Sequence, residues 1–297
     1  MYIEHLENDN VYETIIMVEG LETTITLLHV TDSHMSDLNE KDKRFIESKE
    51  NFQKFYEDRN WTTTIKTREN FQNSLTLSKK MNADCVVFTG DIIHFPSSEN
   101  IEATQNDLKL IGLPYLYTLG NHDWHYSHLE QWNDETRAVN YSKFFELTNG
   151  NPAYQMLEVS GIRLIAIDNS NYQISEQQLL FFKEQLVTEK PCLLFMHIPI
   201  YIPSLEADVV QRWKAPIMMA AKGWKRDTME KWSVRAVDES TREFCELLTE
   251  GKADNLIAIF CGHVHMPHKD EFRKGRFQYV TKPGYEEGYR IIKLKPY

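Results

Sequence analysis

Side chains that can bind metal ions follow five apolar segments of the chain, and each segment is typical of a buried strand. The segments and the side chains that follow them are 25–30 with Asp32 and His34, 85–89 with Asp91, 113–117 with Asn121, His122 and Asp123, 192–196 with His197, and 256–261 with His263 and His265. Open α/β proteins bind ligands at the carboxyl ends of their strands, so these side chains are expected to meet in one site.

The residue types indicate the kind of metal. Carboxylate, imidazole and amide ligands without thiolates suit Mn, Fe, Zn or Co at mixed nitrogen and oxygen sites. Residues two apart at a strand end point to the same side, so Asp32 can act with His34, and His263 with His265. Taken alone, residues 120–123 are also typical of an ordinary tight turn, because Gly, Asn and Asp are the usual turn residues. The agreement of five segments favours a metal site.

The order of these motifs resembles the calcineurin-like metallophosphoesterase superfamily. Asp-x-His, Gly-Asp, Gly-Asn-His-Asp, His and Gly-His-x-His occur in turn between Asp32 and His265, over most of the chain. The resemblance implies an α/β fold, a four-layer α/β/β/α sandwich of two mixed sheets flanked by helices. Periodicity alone indicates only α/β or α+β with helices outside. Because the motifs are spread along the chain, residues 1–297 are expected to form a single metallophosphoesterase domain.

The resemblance also implies two divalent or trivalent metal ions and their ligands. One ion is assigned to Asp32, His34, Asp91 and His265, and the other to Asp91, Asn121, His197 and His263. Asp91 is therefore expected to bridge the pair. Two such ions can activate a water molecule and clamp the attacking and leaving oxygens of an in-line displacement, which is what phosphoester hydrolysis requires.

His122 and Asp123 are assigned to catalysis. His122 follows a ligand without belonging to the ligand set, so it is expected to face the substrate as leaving-group acid or charge stabiliser. Asp123 or another nearby carboxylate is expected to raise the pKa of His122 and keep it protonated. Residues that bind the rest of the substrate are not assigned. Five further histidines lack motif positions, namely His29, His94, His125, His128 and His268. They are expected to be structural or on the surface, although His94 and His125 lie near strand ends and could line the pocket.

The substrate is expected to be a small phosphoester. Leu119 stands where the protein Ser/Thr phosphatases of the superfamily have Arg, which argues against a protein phosphatase. The motifs, including the strand end 167–169 before a Gln-rich helix start, are more similar to bacterial phosphodiesterases of the class III cyclic-nucleotide type. A phosphodiesterase is favoured, and a phosphomonoesterase is the alternative. A scaffold, such as the retromer subunit of this fold, would have no need of seven ligands and His122.

The composition of the chain limits the kinds of partner and the cellular location that are expected. A formal charge of -11 argues against a nucleic-acid polymer, and hence a nuclease, and against an anionic membrane. The four cysteines include no CxxC pair and lie in apolar or helical segments, so reduced, buried thiols are expected. The N-terminus does not resemble a secretory signal, and no apolar run approaches the roughly 20 residues that span a bilayer. A cytoplasmic protein is expected, of unassigned oligomeric state.

The elements between the motifs are predicted from pattern and turn residues. Residues 11–18 and 23–30 favour an N-terminal hairpin, and residues 277–282 and 289–294 favour a closing hairpin. Helices are predicted over 65–82 and 101–111, after the capping box of Ser175 and Gln178, and after Ser240 with Glu243. The highly charged residues 35–60 are predicted to form a solvated loop and helix.

Residues 201–236 interrupt the strand and helix alternation. They hold Trp213, Trp224 and Trp232, and their cations include Arg212, Lys214, Lys222, Lys225, Arg226 and Arg235. We interpret the segment as a lid insertion that overhangs the site and selects the substrate. An irregular loop that covers sheet edges is the alternative.

Overall fold

The computed structural model of the protein describes residues 1–7, 10–188, 190–251 and 253–297. Within these residues the strands form two six-stranded sheets. Numbered in chain order, the strands are β1 (Ile3–His5), β2 (Glu13–Val18), β3 (Ile25–Val30), β4 (Cys85–Thr89), β5 (Tyr115–Thr118), β6 (Tyr154–Val159), β7 (Ile162–Ile167), β8 (Cys192–Phe195), β9 (Leu256–Cys261), β10 (His268–Arg273), β11 (Arg276–Val280) and β12 (Arg290–Pro296).

Both sheets are mixed. The first has the order β1-β2-β12-β3-β4-β5, and the second has the order β10-β11-β9-β8-β7-β6. In the first, β3, β4 and β5 run parallel, and in the second β7, β8, β9 and β11 do. Antiparallel pairing occurs where β12 meets β3, where β6 meets β7 and where β10 meets β11. The parallel strands bring their carboxyl ends to a common edge of each sheet, which is where a ligand site can form.

The two sheets pack face to face. Leu27 and Val87 of the first sheet and Leu164, Leu193 and Phe260 of the second belong to one cluster of fully buried side chains. These strands read as continuous apolar runs because both faces of each sheet are covered. The inner faces supply the central core of the molecule.

Helices cover the two outer faces. The helices of the described residues are α1 (Glu40–Glu47), α2 (Phe52–Thr64), α3 (Thr67–Lys80), α4 (Ser98–Ile111), α5 (Asp134–Tyr141), α6 (Glu176–Leu186), α7 (Pro203–Trp213), α8 (Arg226–Lys231) and α9 (Glu239–Thr249). The helices α3 and α4 pack on the first sheet, and α6 and α9 pack on the second. The predicted four-layer α/β/β/α sandwich is confirmed.

Both predicted hairpins are wrong. The strands β2 and β3 are not neighbours, because β12 lies between them: Ile292 pairs with Thr14 on one side and with Leu27 on the other. The strands β11 and β12 lie in different sheets. The backbone amides of Gly284 and Tyr285 donate to the carbonyls of Thr31 and Asp32, at 2.8 and 3.0 Å, so the connection docks on the end of β3 and is not a turn. Alternating strands with glycines between them do not distinguish a turn from a connection that crosses between sheets.

Helix starts are predicted with mixed success. The capping box of Ser175 and Gln178 begins α6 as expected. The N-cap of α9 is Asp238, whose carboxylate accepts from the amide of Thr241 at 2.8 Å, so the prediction from Ser240 is wrong by two residues. The hydroxyl of Ser240 instead donates to the carbonyl of Ile174. An aspartate and a serine are equally good caps, so sequence does not choose between them.

Three of the four thiols are buried, as the sequence predicts, and the fourth is half-buried. Cys85, Cys192 and Cys261 are fully buried in β4, β8 and β9, and Cys245 is half-buried in α9. Each is free, as expected. Among the helices of the described residues, none is long and apolar enough to cross a membrane.

Candidate metal centre

The five motif segments converge where strands of both sheets end. Asp32 and His34 follow β3, Asp91 follows β4, and Asn121 follows β5 in the first sheet. His197 follows β8, and His263 and His265 follow β9 in the second. All seven side chains are buried except His265, which is half-buried. The site therefore lies between the two sheets at their carboxyl edges.

The first group consists of Asp32, His34, Asp91 and His265, each of which offers one ligand atom within 4.8 Å of the others. His265 Nε2 lies 3.1 Å from Asp32 Oδ1 and 3.3 Å from His34 Nε2. His34 Nε2 lies 3.8 Å from Asp91 Oδ2. This group is the ligand set that the sequence assigns to one ion.

The second group shares Asp91 with the first. Ligand atoms of Asp91, His197 and His263 lie within 4.8 Å of one another. His197 Nε2 is 3.2 Å from Asp91 Oδ2, from His263 Nδ1 and from Asn121 Oδ1. Asp91 is therefore placed between the groups, as a bridging ligand must be.

The outward nitrogens of these imidazoles are held by other partners, which fits metal binding. His197 Nδ1 lies 2.7 Å from the carbonyl of Thr89, His263 Nε2 lies 2.8 Å from the hydroxyl of Tyr172, and His265 Nδ1 lies 3.1 Å from that of Tyr285. Metal-bound histidines commonly use their second nitrogen in this way, which fixes the ring and its tautomer. Four imidazoles and two carboxylates thus turn their remaining donor atoms toward one buried volume, and such a set suits harder divalent ions.

Five of the seven predicted ligands have a left-handed backbone. The φ angles of Asp32, His34, Asp91, His263 and His265 lie between 50 and 68°. Residues other than glycine rarely adopt this conformation, and each instance costs free energy that the surrounding structure must supply. The bends after β3, β4 and β9 turn the side chains back across the sheet edge, toward one another. Of the fifteen non-glycine residues with positive φ in the described part of the chain, these five meet in one place.

Two motif glycines are required by close packing. A Cβ on Gly120 would overlap with the carboxylate and the backbone nitrogen of Asp91, and a Cβ on Gly262 would overlap with Thr31 and the carboxylate of Asp32. The backbone of each glycine therefore lies directly against a ligand carboxylate. The glycines of these motifs make room for the ligands.

The charges within the site are strongly coupled. Burial opposes ionisation of Asp91, yet the neighbouring imidazoles of His197, His122 and His34 hold its pKa well below the usual value. Burial also opposes protonation of His197, but Asp91 raises the pKa of His197 to about 9. Burial and nearby imidazoles hold the pKa of His263 well below its usual value. Without metal, the protein thus places one positive charge beside Asp91, where a cation would bind.

Comparison with known proteins agrees with this geometry. A family model described as calcineurin-like phosphoesterase matches residues 25–267, which include all seven predicted ligands. The chain belongs to the calcineurin-like phosphoesterase family.

Individual calcineurin-like relatives resemble the chain more distantly. The probable glycerophosphodiester phosphodiesterase GpdQ of Arcobacter nitrofigilis is 26% identical over 193 residues, which cover 63% of this chain and 58% of that relative. The matched part is thus less than two thirds of the relative's length. A dimetal phosphatase from Danio rerio has a TM-score of 0.54 at 12% identity over 89% of both chains. A purple acid phosphatase from yellow lupin (Lupinus luteus) seeds has a TM-score of 0.51 at 11% identity over 91% of this chain and 46% of its own. Both structures share the fold.

The position of His122 in this calcineurin-like site agrees with the sequence, but its predicted protonation does not. Its ring lies 4.8 Å from the ring of His34, and its amide donates to Asp91 Oδ1 at 2.7 Å. Burial lowers the pKa of His122 to about 3, so the imidazole is neutral at pH 7 in the protein without metals. The prediction that a carboxylate keeps it protonated is wrong, because burial outweighs the attraction of Asp91 and Asp58.

Asp123 does not pair with His122. Its carboxylate accepts from the backbone amides of Asp91, Ile93 and Gly120, at 2.9, 3.1 and 2.7 Å. Burial and the charge of Asp91 raise the pKa of Asp123 to about 8. The predicted partnership with His122 is wrong, because Asp123 turns inward to satisfy backbone donors of two strand-end loops.

The five histidines without motif positions separate into two groups. As predicted, His29 is structural, since its ring nitrogens lie 2.8 and 2.7 Å from the hydroxyls of Thr281 and Thr89. His128 is exposed, and His268 pairs with Asp208 and Asp270 at the surface. His94 and His125 both line the site: the ring of His94 stacks on His122 at 4.6 Å, and that of His125 lies 5.7 Å from it.

Sequence reasoning missed two residues that hold ligands. Tyr172 and Tyr285 contact His263 and His265 through their hydroxyls, but neither stands in a motif. Tyr172 follows the end of β7 by five residues, and Tyr285 lies in the misassigned closing connection. A tyrosine beyond a strand end beside motif histidines is the only signal that could have suggested them.

Two tryptophans of residues 201–236 lie beside predicted ligands. The indole nitrogen of Trp213 donates to the carbonyl of Val264 at 2.9 Å, and its ring lies 5.2 Å from that of His265. The ring of Trp232 lies 6.4 Å from that of His263. The segment has a small core of its own, in which Leu205, Val209, Ala215, Ile217 and Met218 join Val264 and Val280.

Proposed function

We propose that this protein is a metal-dependent phosphodiesterase that hydrolyses a small phosphodiester with water. The observation that carries the proposal is the pair of ligand groups that share the buried Asp91. In the reaction an oxygen of water forms a bond to phosphorus, the bond to one ester oxygen breaks, and the alcohol leaves with a proton. Two ions held by these groups would supply Lewis-acid activation of water and of the phosphoryl oxygens.

The chain's own residues divide this work. Asp32, His34, Asp91 and His265 would hold one ion, and Asp91, Asn121, His197 and His263 the other. Thr89, Tyr172 and Tyr285 orient the imidazoles, so the donor atoms are in place before the ions bind. Such preorganisation is what catalysis by charge stabilisation needs.

His122 is the residue that we assign to the leaving group. The residue is half-buried as a whole, and its Nδ1 is buried without a hydrogen-bond partner among the described residues. An anionic phosphoester beside the ring would act against burial and raise the pKa of His122. The imidazole can then donate a hydrogen bond or a proton to the departing oxygen.

The environment of the site favours a diester over a monoester. Leu119, at the position where a phosphate-gripping Arg would stand, is fully buried in the core. In residues 201–236, Arg226 is exposed and pairs with Glu230, and Arg235 pairs with Asp134. A diester carries one negative charge where a monoester carries close to two, so it needs fewer cations beyond the metals. The likeness to a probable glycerophosphodiester phosphodiesterase supports the same choice.

We further propose that residues 201–236 act as the lid of this single domain. A cavity of about 740 Å³ lies between α8 and the start of α5, with Trp124, Trp132 and Met229 among its walls. The ring of Trp132 lies 6.3 Å from that of Trp232, which in turn lies beside His263. A substrate alcohol too large for the metal centre would find apolar walls there.

A panel of substrates tests the proposal. Metal-stripped protein reloaded with Mn²⁺ should hydrolyse bis-p-nitrophenyl phosphate with a higher kcat/KM than p-nitrophenyl phosphate, and a cyclic nucleotide tests the class III likeness. A higher kcat/KM for the monoester would show that the protein is a phosphomonoesterase and not a phosphodiesterase. Cleavage of DNA would indicate a nuclease, and bound metals without any hydrolysis would indicate a scaffold.

A further inference from the structure

The ring of His94 lies between two residues of the proposed active site. His94 Nδ1 is 3.0 Å from His34 Nδ1, and the His94 ring stacks on His122 at 4.6 Å with 17° between the planes. His94 is 2% exposed. It belongs to neither predicted ligand group and follows Asp91 by three residues. One face of the His94 ring therefore stacks on His122, and its Nδ1 contacts Nδ1 of His34.

The second nitrogen of His94 faces a carboxylate from α2. His94 Nε2 lies 3.4 Å from Asp58 Oδ2. The same helix is fixed to the loop after β3, because Arg59 donates to the carbonyl of Ser36 at 2.7 Å and Thr62 donates to its hydroxyl at 2.7 Å. Trp61, one turn along, places its ring 5.4 Å from His94 and 5.5 Å from His34. The segment predicted to be merely solvated therefore reaches the site.

The proton positions in this chain of groups are determined by metal binding. A His34 that binds metal through Nε2 must carry its proton on Nδ1, which needs an acceptor. The lone pair of His94 Nδ1 is at hydrogen-bond distance, so the proton of His94 then lies on Nε2, which is 3.4 Å from Asp58 Oδ2. The other three metal-binding histidines rely on a carbonyl or a tyrosine hydroxyl for this purpose. His34 alone among the four relies on a second imidazole.

We propose that Asp58 and His94 are a positioning pair that fixes the tautomer of His34 and the plane of His122. The carboxylate of Asp58 attracts the Nε2 proton of His94 at ion-pair distance, His94 accepts from His34, and the His94 ring supports His122 from the side. The pair is not a catalytic acid or base. It acts through His34 on the first metal group and through stacking on His122. The inference rests on the proposed metal groups but not on the choice of substrate.

Metal titration of the stripped protein tests the pair without turnover. His94→Ala removes the acceptor, so Mn²⁺ affinity at the first group should fall about 10–100-fold, while the second group keeps its affinity. His94→Gln returns a carbonyl oxygen as acceptor for His34 and should recover most of the affinity, but not the support of His122. Its kcat should therefore stay low at saturating Mn²⁺ with KM near the wild-type value.

Asp58 has a matched control on the same helix. Asp58→Ala should lower the same affinity, and Asp58→Asn, which keeps an acceptor oxygen for His94, should lower it less. Glu57→Gln removes a charge at the neighbouring exposed position and should change nothing. Equal affinities for Asp58→Ala and Glu57→Gln would overturn the role of Asp58, and wild-type affinity at both groups in a folded His94→Ala would overturn the role of His94. A wild-type protein that binds no Mn²⁺ would instead remove the proposed function itself.

Discussion

The carboxylates of Asp91 and Asp123 link the loops after two neighbouring strands in both directions. Asp123 Oδ2 accepts from the backbone amide of Asp91 at 2.9 Å, and Asp91 Oδ1 accepts from the amide of His122 at 2.7 Å. Gly120 lies against the Asp91 carboxylate, where a side chain would not fit. The bridging position of Asp91 and the placement of His122 are therefore parts of one arrangement.

Asp91→Asn should remove both metals and nearly all turnover. An amide cannot supply the shared negative charge, and Asp91 lies 3.2 and 3.8 Å from histidines of the two groups. Elemental analysis of the dialysed variant should find fewer than one ion per chain, with an unchanged circular dichroism spectrum. Glu102→Gln, an exposed change of the same kind on α4, is the control. Two ions retained by Asp91→Asn would disprove the bridging role.

His122→Ala should keep both metals while kcat falls by about 10²–10⁴-fold, which is the range for a positioned acid or base. A good leaving group should recover much of the loss if His122 gives it a proton. A deficit of the same size for all leaving groups would mean that His122 stabilises charge on the phosphate. Loss of metal from this variant would contradict its placement outside the ligand set.

Asp123→Ala should destabilise the protein by about 3 kcal/mol, because three buried backbone amides lose their acceptor. Urea unfolding of the metal-free protein measures this free energy. The loss should be the same in the His122→Ala background, since the structure places no contact between the two side chains. If Asp123→Ala cost no stability in the His122→Ala background, the two side chains would interact, as the sequence predicts.

The stability of the metal-free protein should depend on pH through His29. Burial, and then the charge of Arg290, lower the pKa of His29 to about 3, so the folded state keeps the ring neutral. In the unfolded chain His29 binds a proton below the usual histidine pKa of about 6.5. The contribution of the neutral ring to the free energy of unfolding is therefore complete above pH 6.5 and is lost as the pH falls toward 3.

Urea unfolding at several pH values tests this contribution. His29→Gln should reduce the slope of unfolding free energy against pH, between pH 6 and 4, by about 1.4 kcal/mol per pH unit. His128→Gln, at an exposed position, is the control and should leave the slope unchanged. An unchanged slope in His29→Gln would contradict the burial argument.

The proposed lid should be removable in part. Replacing all of residues 201–236 would take away the core that Leu205, Val209 and Ile217 form with Val264, so the smaller change is informative. None of the side chains of α8 is buried. A Gly/Ser linker in place of residues 225–231 should leave bis-p-nitrophenyl phosphate hydrolysis intact and lower kcat/KM for a larger preferred diester by about 10–100-fold.

The matched control for the proposed lid changes a charge of α8 that lies outside the cavity and keeps the helix. Asp227→Asn should change neither activity, because Asp227 is exposed and does not line the cavity. If the linker variant lost both activities while it retained metals, the segment would be a support for the site's geometry and not a selector of substrate.

The sequence by itself determined the ligand types and the strands that carry them. Apolar runs ending at Asp32, Asp91 and His197 predict strand ends because a buried strand must be apolar along its length. The order of the motifs in the sequence also predicted the correct fold and the two ligand groups that the structure brings together. These properties are local or belong to a series of short motifs, so they can be read along the chain.

Only the tertiary structure decided which groups surround the ligands. Strand order depends on pairings between distant residues, so nothing near Ile292 indicated that its strand would separate β2 from β3. In the same way the protonation of His122 follows from burial by the whole site, and the contact of Asp58 with His94 joins residues from a charged helix and a strand end. Burial and long-range contacts are properties of the folded chain, which is why residue type and spacing could not supply them.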